Sequence, residues 1–172
     1  LKEFDRVKMT TSIDAGKNIY PYFRDGDWNV LKNNISKFRE YDKRTKIFAT
    51  CTTSAFQMLD IYDIFESLLT LDVDEIRSSI VHTPKYINPR VVKLYYESTI
   101  MNEIDKTFTL DLTPSAHHAL TTIKEYFTNS RYDADNYMAF LSYIDKVDRL
   151  FGKNFNDFYN IKLYKPEHLY QK

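Results

Sequence analysis

Three short runs rich in β-branched residues recur along the chain, separated by segments whose apolar residues fall at helical spacing. Residues 7–14 (Val-Lys-Met-Thr-Thr-Ser-Ile-Asp), 46–52 (Lys-Ile-Phe-Ala-Thr-Cys-Thr) and 75–82 (Glu-Ile-Arg-Ser-Ser-Ile-Val-His) predict strands. After the first, residues 15–27 predict a loop punctuated by Gly16, Pro21 and Gly26. Asp27 is placed to cap a helix on which Trp28, Leu31, Ile35 and Phe38 share one face. After the second strand, Leu59, Ile61, Tyr62, Ile64, Phe65, Leu68 and Leu69 predict a helix over about 57–70. Alternation of this kind argues for parallel strands joined by right-handed helical crossovers, and the expected fold class is α/β.

Beyond Thr83-Pro84 the pattern becomes helical. Pro89 suits a first helical position, and residues 90–106 predict a helix. Thr113-Pro114 opens another, to about Tyr126 or Phe127. A third starts at Asp133 or Asp135 and carries Tyr137, Phe140, Leu141, Ile144, Val147, Leu150 and Phe151 on one stripe, with Gly152 as its terminator. The expected organisation is a β-α-β-α-β segment over residues 1–90 and a helical C-terminal region over 91–172 that packs on it.

Composition narrows the function classes. At 172 residues and 43% apolar, the chain has the material for one core. It balances 24 basic against 24 acidic residues, which argues against a general nucleic-acid or polybasic membrane binder. Its longest apolar runs fall far short of the roughly 18 residues that a bilayer span needs. No secretory leader pattern opens it. The expectation is therefore a cytoplasmic protein. The single cysteine, Cys51, excludes an internal disulfide and any multi-cysteine metal site, and in a buried strand it would act as a small core residue.

In open α/β sheets, ligands bind outside the carboxyl ends of the strands. That rule selects Ser12, Asp14 and the following Ala15-Gly16-Lys17, then Thr52, Thr53 and Ser54, then His82, Thr83 and Pro84. A carboxylate there can hold a ribose diol or an ammonium group, and hydroxyls can hold a carboxylate or an adenine edge. The same residue types also serve as helix caps and turn formers at strand ends. Arg24, just before a helix start, suits a bidentate hold on a carboxylate, or an ion pair with Asp25 or Asp27. His117 and His118 would point about 100° apart on a helix, which is poor spacing for one metal ion. Asp145, Asp148 and Arg149 read as a solvated charged edge.

The sheet itself carries a tension. Three parallel strands are few, and the first would leave its outer edge unpaired. The chain also begins at Leu1 rather than Met. The expectation is a truncated sheet that needs further strands from a preceding segment or a second copy.

Thr11-Ser12-Ile13-Asp14-Ala15-Gly16, followed by Tyr22-Phe23-Arg24-Asp25-Gly26-Asp27-Trp28 and a helix, resembles the radical SAM enzymes. Thr50–Ser54 resembles their next barrel strand, and Phe56 to Leu69 the helix after it. Val81-His82-Thr83-Pro84-Lys85-Tyr86-Ile87-Asn88-Pro89 resembles a strand-end V-x-x-P-x-Y-L segment. The stretch from Phe140 to Phe155 resembles an ending with Y-x-x-x-L-D-x-x-R-G-x-N, although Phe151 stands where that pattern has Arg. The group it resembles is the twitch-domain radical SAM proteins of phages and bacteria. The resemblance implies the second half of a (β/α)6 partial barrel. It implies S-adenosylmethionine (SAM) as cofactor, with Ser12 and Asp14 near its ribose or amino-acid part and Arg24 on its carboxylate. Thr52, Thr53 and Ser54, with His82 and Thr83, would line the adenine or substrate side. The family's [4Fe-4S] cluster needs a CxxxCxxC loop, which this sequence lacks, so the cluster would belong to a missing N-terminal half.

Two functions follow as expectations. In one, the chain is the C-terminal part of a radical SAM enzyme, acting on a substrate that is a peptide or protein in the commonest relatives, and inactive alone. In the other, it is a non-catalytic α/β module that binds a nucleotide or a protein through the same strand ends.

Overall fold

A computed structural model describes residues 7–165. Its element order is β1 (Lys8–Ser12), α1 (Tyr20–Arg24), α2 (Trp28–Tyr41), β2 (Lys46–Thr53), α3 (Ala55–Met58), α4 (Ile61–Leu68), β3 (Glu75–Ile80), α5 (Lys93–Thr107), α6 (Pro114–Asn129) and α7 (Ala134–Phe151). Short 3-10 turns cover Lys85–Ile87, Pro89–Val92 and Phe155–Asp157. The three strands form an open parallel sheet in the order β1-β2-β3. The α/β class and the parallel sheet agree with the sequence pattern.

β2 lies between its two neighbours, and Ile47, Ala49 and Cys51 are fully buried. These three share one face of the sheet, while Thr50 and Thr52 on the opposite face remain partly exposed. Helix α6 packs along β3. Ser115 Oγ accepts from the Ile76 amide at 3.1 Å, and Ser78 Oγ donates to the Ala119 carbonyl at 3.2 Å. A helix thus covers the outer side of β3. On the far side, no strand among the described residues pairs with the outer edge of β1.

The anticipated caps are in place. Asp27 accepts from the Asn29 amide, Thr113 from Ala116 and Asp133 from Asn136, and Gly152 ends α7 at φ 61°. Several boundaries differ from expectation. The loop over 15–27 contains α1, because Pro21 is preset for the first turn of a helix. That helix stops at Asp25, which turns left-handed at φ 49°. The helix expected over 57–70 divides in two. Ser54 and Gln57 build a capping box that starts α3 at Ala55, and Asp60, at φ −143°, takes the backbone out of helix before α4. The first strand ends at Ser12 rather than at Asp14, and the third at Ile80 rather than at His82.

Lys93 is a structural cation that sequence reasoning passed over. It is 7% exposed, and its ammonium donates to the carbonyls of Phe127, Thr128 and Ser130, each at 2.8 Å. These are acceptors that the end of α6 leaves unpaired, and the helix dipole favours a cation there. Lys93→Met keeps the apolar stem and removes the three bonds. It is expected to lower the unfolding free energy by about 2 kcal/mol, read from the urea midpoint.

Candidate functional site

The loop after β1 places Asp14 beside the end of β2. Its carboxylate accepts from the Thr52 amide at 3.1 Å and from Ser12 Oγ at 3.1 and 3.3 Å. Arg24, the last residue of α1, donates to the same carboxylate. The Asp14 carbonyl accepts from the Gln57 side chain. Arg24 therefore pairs with Asp14, not with Asp25 or Asp27.

Asp14, Thr52, Ser54 and Gln57 line one side of a cavity of about 400 Å³, within the range of small-molecule sites. Tyr22, Phe23 and Phe56 supply an aromatic wall, and Val81 and Ile87 bring in the segment after β3. Tyr143, Val147 and Phe151 of α7 line the remaining side. All three strand ends thus contribute to one pocket, where the strand-end rule places it.

The individual residues divide as follows. Ser12, Asp14 and Arg24 come together, and Thr52 and Ser54 join Asp14 at the pocket. Ser54 is at the same time the cap of α3, because its hydroxyl accepts from the Phe56 amide. Thr53 is fully buried and its hydroxyl has no partner. Alternation along β2 puts it on the face of Cys51 rather than that of Thr52. His82 and Thr83 are exposed and do not line this cavity; the His82 ring meets Tyr126 edge-on at 5.6 Å between centroids.

Sequence reasoning missed Tyr22, Phe23 and Gln57. It read Val147 and Phe151 as part of a core stripe and did not mark Tyr143. The spacing of Tyr143, Val147 and Phe151, four residues apart each time, is the signal that could have separated a pocket face from the core face. Asp148 is also more than a solvated charge. It accepts from the Tyr22 hydroxyl at 2.9 Å and from the Phe155 amide at 3.1 Å. Lys153 donates to the Pro21 carbonyl at 2.6 Å and to Asp25 at 3.1 Å. The end of α7 is thereby tied to α1, the helix that carries Arg24.

Cys51 is fully buried in β2. Burial, followed by the nearby Asp14 charge, pushes its thiol up to about 12, so it carries no thiolate at neutral pH. No group of three or more His, Cys, Asp or Glu residues suited to a metal ion occurs among the described residues.

Behind the loop lies an acidic pair. Asp63 accepts from the Asn18 amide at 3.2 Å and from the Asn18 side chain at 2.7 Å. Asp60 precedes α4, where an aspartate ordinarily caps, yet it makes no cap bond, and its buried Oδ2 has no partner. Burial, then Asp63 and Glu103, push the Asp60 carboxyl up to about 8. Burial raises Asp63 as well, against the pull of the Asn18 amide.

Comparison with protein-family models, with curated proteins and with solved structures returns no match for this chain.

Two outcomes are expected. A Cβ on Gly16 would lie 2.2 Å from Asp63 Oδ2 and 2.8 Å from the Asp63 backbone carbonyl. The backbone cannot yield as a flexible side chain can, so Gly16→Ala should cost about 1–3 kcal/mol in urea unfolding. The second concerns pH. Asp60 binds its proton more tightly folded than unfolded, so stability is greatest when both states are protonated and falls as pH rises from about 4 through about 8. Asp42, Asp74, Glu75 and Asp133 shift downward, and their effect lies below that window. The melting temperature should fall by on the order of 5 °C across the window, and Asp60→Asn should flatten the slope.

Proposed function

We propose that this chain forms the second half of a radical SAM barrel and supplies the wall that binds S-adenosylmethionine. The observation that carries this reading is the Asp14–Arg24 ion pair, of which Asp14 lines the pocket. The two groups lie side by side, partly exposed at 23% and 43% of their side-chain surface. A zwitterionic amino-acid group can exchange with this ion pair, its ammonium replacing the guanidinium on Asp14 and its carboxylate replacing Asp14 on Arg24. Ser12 and Thr52 then lie within the same strand-end group for a ribose diol, and Phe23, Phe56 and Tyr143 offer aromatic faces to an adenine.

The residues of this sequence do not fit an iron–sulfur cluster. Such clusters take several thiolates, and the one cysteine is buried with its thiol protonated. Cluster ligands would come from residues outside this sequence, and no chemical step is assigned to the chain itself. In this reading its part is to bind and orient the cofactor. The outer edge of β1 is where a barrel-completing strand would pair, from another segment or from a second copy.

The second reading, a non-catalytic α/β module that binds a nucleotide or a protein, rests on the same strand-end pocket. Calorimetric titration separates the two. With the purified chain, SAM should bind saturably, and Asp14→Ala and Arg24→Ala should each weaken binding at least about tenfold. Adenosine should bind more weakly than SAM. Equal affinity for adenosine would favour the nucleotide module, and no binding by a folded sample would retire both readings.

A further inference from the structure

The segment from Gln57 to Asp63 grips the loop after β1 at two points. The Gln57 side chain donates to the Asp14 carbonyl, and Asp63 holds Asn18 by both its amide and its side chain. Gly16 sits directly against the Asp63 backbone, and the Lys17 amide donates to Ser67 Oγ at 2.8 Å. Between the two grips the helix breaks, and Asp60 occupies the break.

Asp60 is out of place for an ordinary N-cap. A capping aspartate stabilises its helix through its side-chain oxygen, and this one gives up that bond and turns a carboxyl oxygen into the interior. Its surroundings hold other acids. Asp63 and Glu66 lie on α4, and Glu103 approaches from α5. Tyr159, 4% exposed, comes from the segment after α7 and feels the Asp60 charge, and its hydroxyl has no partner either. Lys17 is the cation that acts on Asp63. The nearby Lys106 ammonium sits over the Tyr62 ring at 3.6 Å.

We propose that Asp60 is a proton-operated latch on the strand-end pocket: neutral Asp60 lets the Gln57–Asp63 segment hold the Asp14–Asn18 loop, and its ionisation releases that loop. A second negative charge beside Asp63, on a carboxyl whose buried Oδ2 has no partner, forces the helix break to open toward water. Both grips flank that break, so the loop and the Asp14 carboxylate loosen together. The latch does not depend on the pocket taking an adenosyl ligand, because every contact in it lies within this chain.

Amide hydrogen exchange followed by NMR tests it on the full 172-residue chain. Protection factors for Lys17 and Asn18, corrected for intrinsic exchange, are measured from about pH 5.5 to about 9. Both should drop at least about tenfold through a one-proton transition, while amides in β2 hold theirs. Asp60→Asn should abolish the transition and keep the loop protected throughout. Asp63→Asn should leave Asn18 poorly protected at every pH. The Asp60 carboxyl carbon, followed in the unsubstituted protein, should titrate with the same midpoint, so the test survives a variant that fails to fold. Titration of that carbon in the ordinary carboxylate range, or a transition that persists in Asp60→Asn, would overturn the proposal.

Discussion

Parallel pairing is the constraint on which the rest of the structure depends. Strands that all run one way deliver all their carboxyl ends to one edge of the sheet. Here the registers Ser12 to Thr50 and Thr53 to Ile80 bring the ends of β1, β2 and β3 together. The Ile13 amide donates to Thr50 at 2.9 Å, and the Val81 amide to Thr53 at 2.9 Å, so pairing continues to the point where each strand leaves the sheet. Asp14 can then reach the Thr52 amide, and a pocket forms where three loops diverge.

The helical second part completes this arrangement. α6 takes the outer side of β3, with Lys93 tying down the far end of that helix. α7 closes over the strand ends, and Asp148 and Lys153 fasten it to α1. Arg24 stands at the end of α1, so the charged side of the pocket and its apolar lid share one support. At the opposite end of the sheet, Asp74 accepts from the Ile47 amide and from Arg39 and Lys46. These bonds outweigh burial and hold its carboxyl well below the usual range. The strand starts are fixed by charge, whereas the strand ends carry groups left partly exposed.

Much of this was legible in the residues. The three strands, the caps at Asp27, Thr113 and Asp133, and the terminator Gly152 each follow from local chemistry, because a cap or a β-branched run acts on its own neighbours. The strand-end rule also located Ser12, Asp14, Thr52 and Ser54. It could not tell which of Thr52 and Thr53, on opposite faces of the strand, meets the pocket, or that β3 ends before His82. The contacts of Arg24 with Asp14, of Asp148 with Tyr22 and of Lys93 with Phe127 span 10, 126 and 34 residues, and no local pattern encodes them.

The break at Asp60 shows the same division. The run from Leu59 to Leu69 has the apolar period of one continuous helix, and its amphipathic face is correctly given by spacing alone. The capping box at Ser54 starts the helix early, and the grip of Gln57 and Asp63 on a loop 43 to 45 residues upstream fixes where it must bend. The sequence by itself determined the alternation of strands and helices, the parallel sense of the sheet and the edge at which a ligand could bind. Only the tertiary structure decided which side chains face that edge, which charges find partners, and which carboxyl keeps a buried oxygen without one. The reason is physical: periodicity and capping act over a few residues, while burial and ion pairing depend on what distant segments bring into contact.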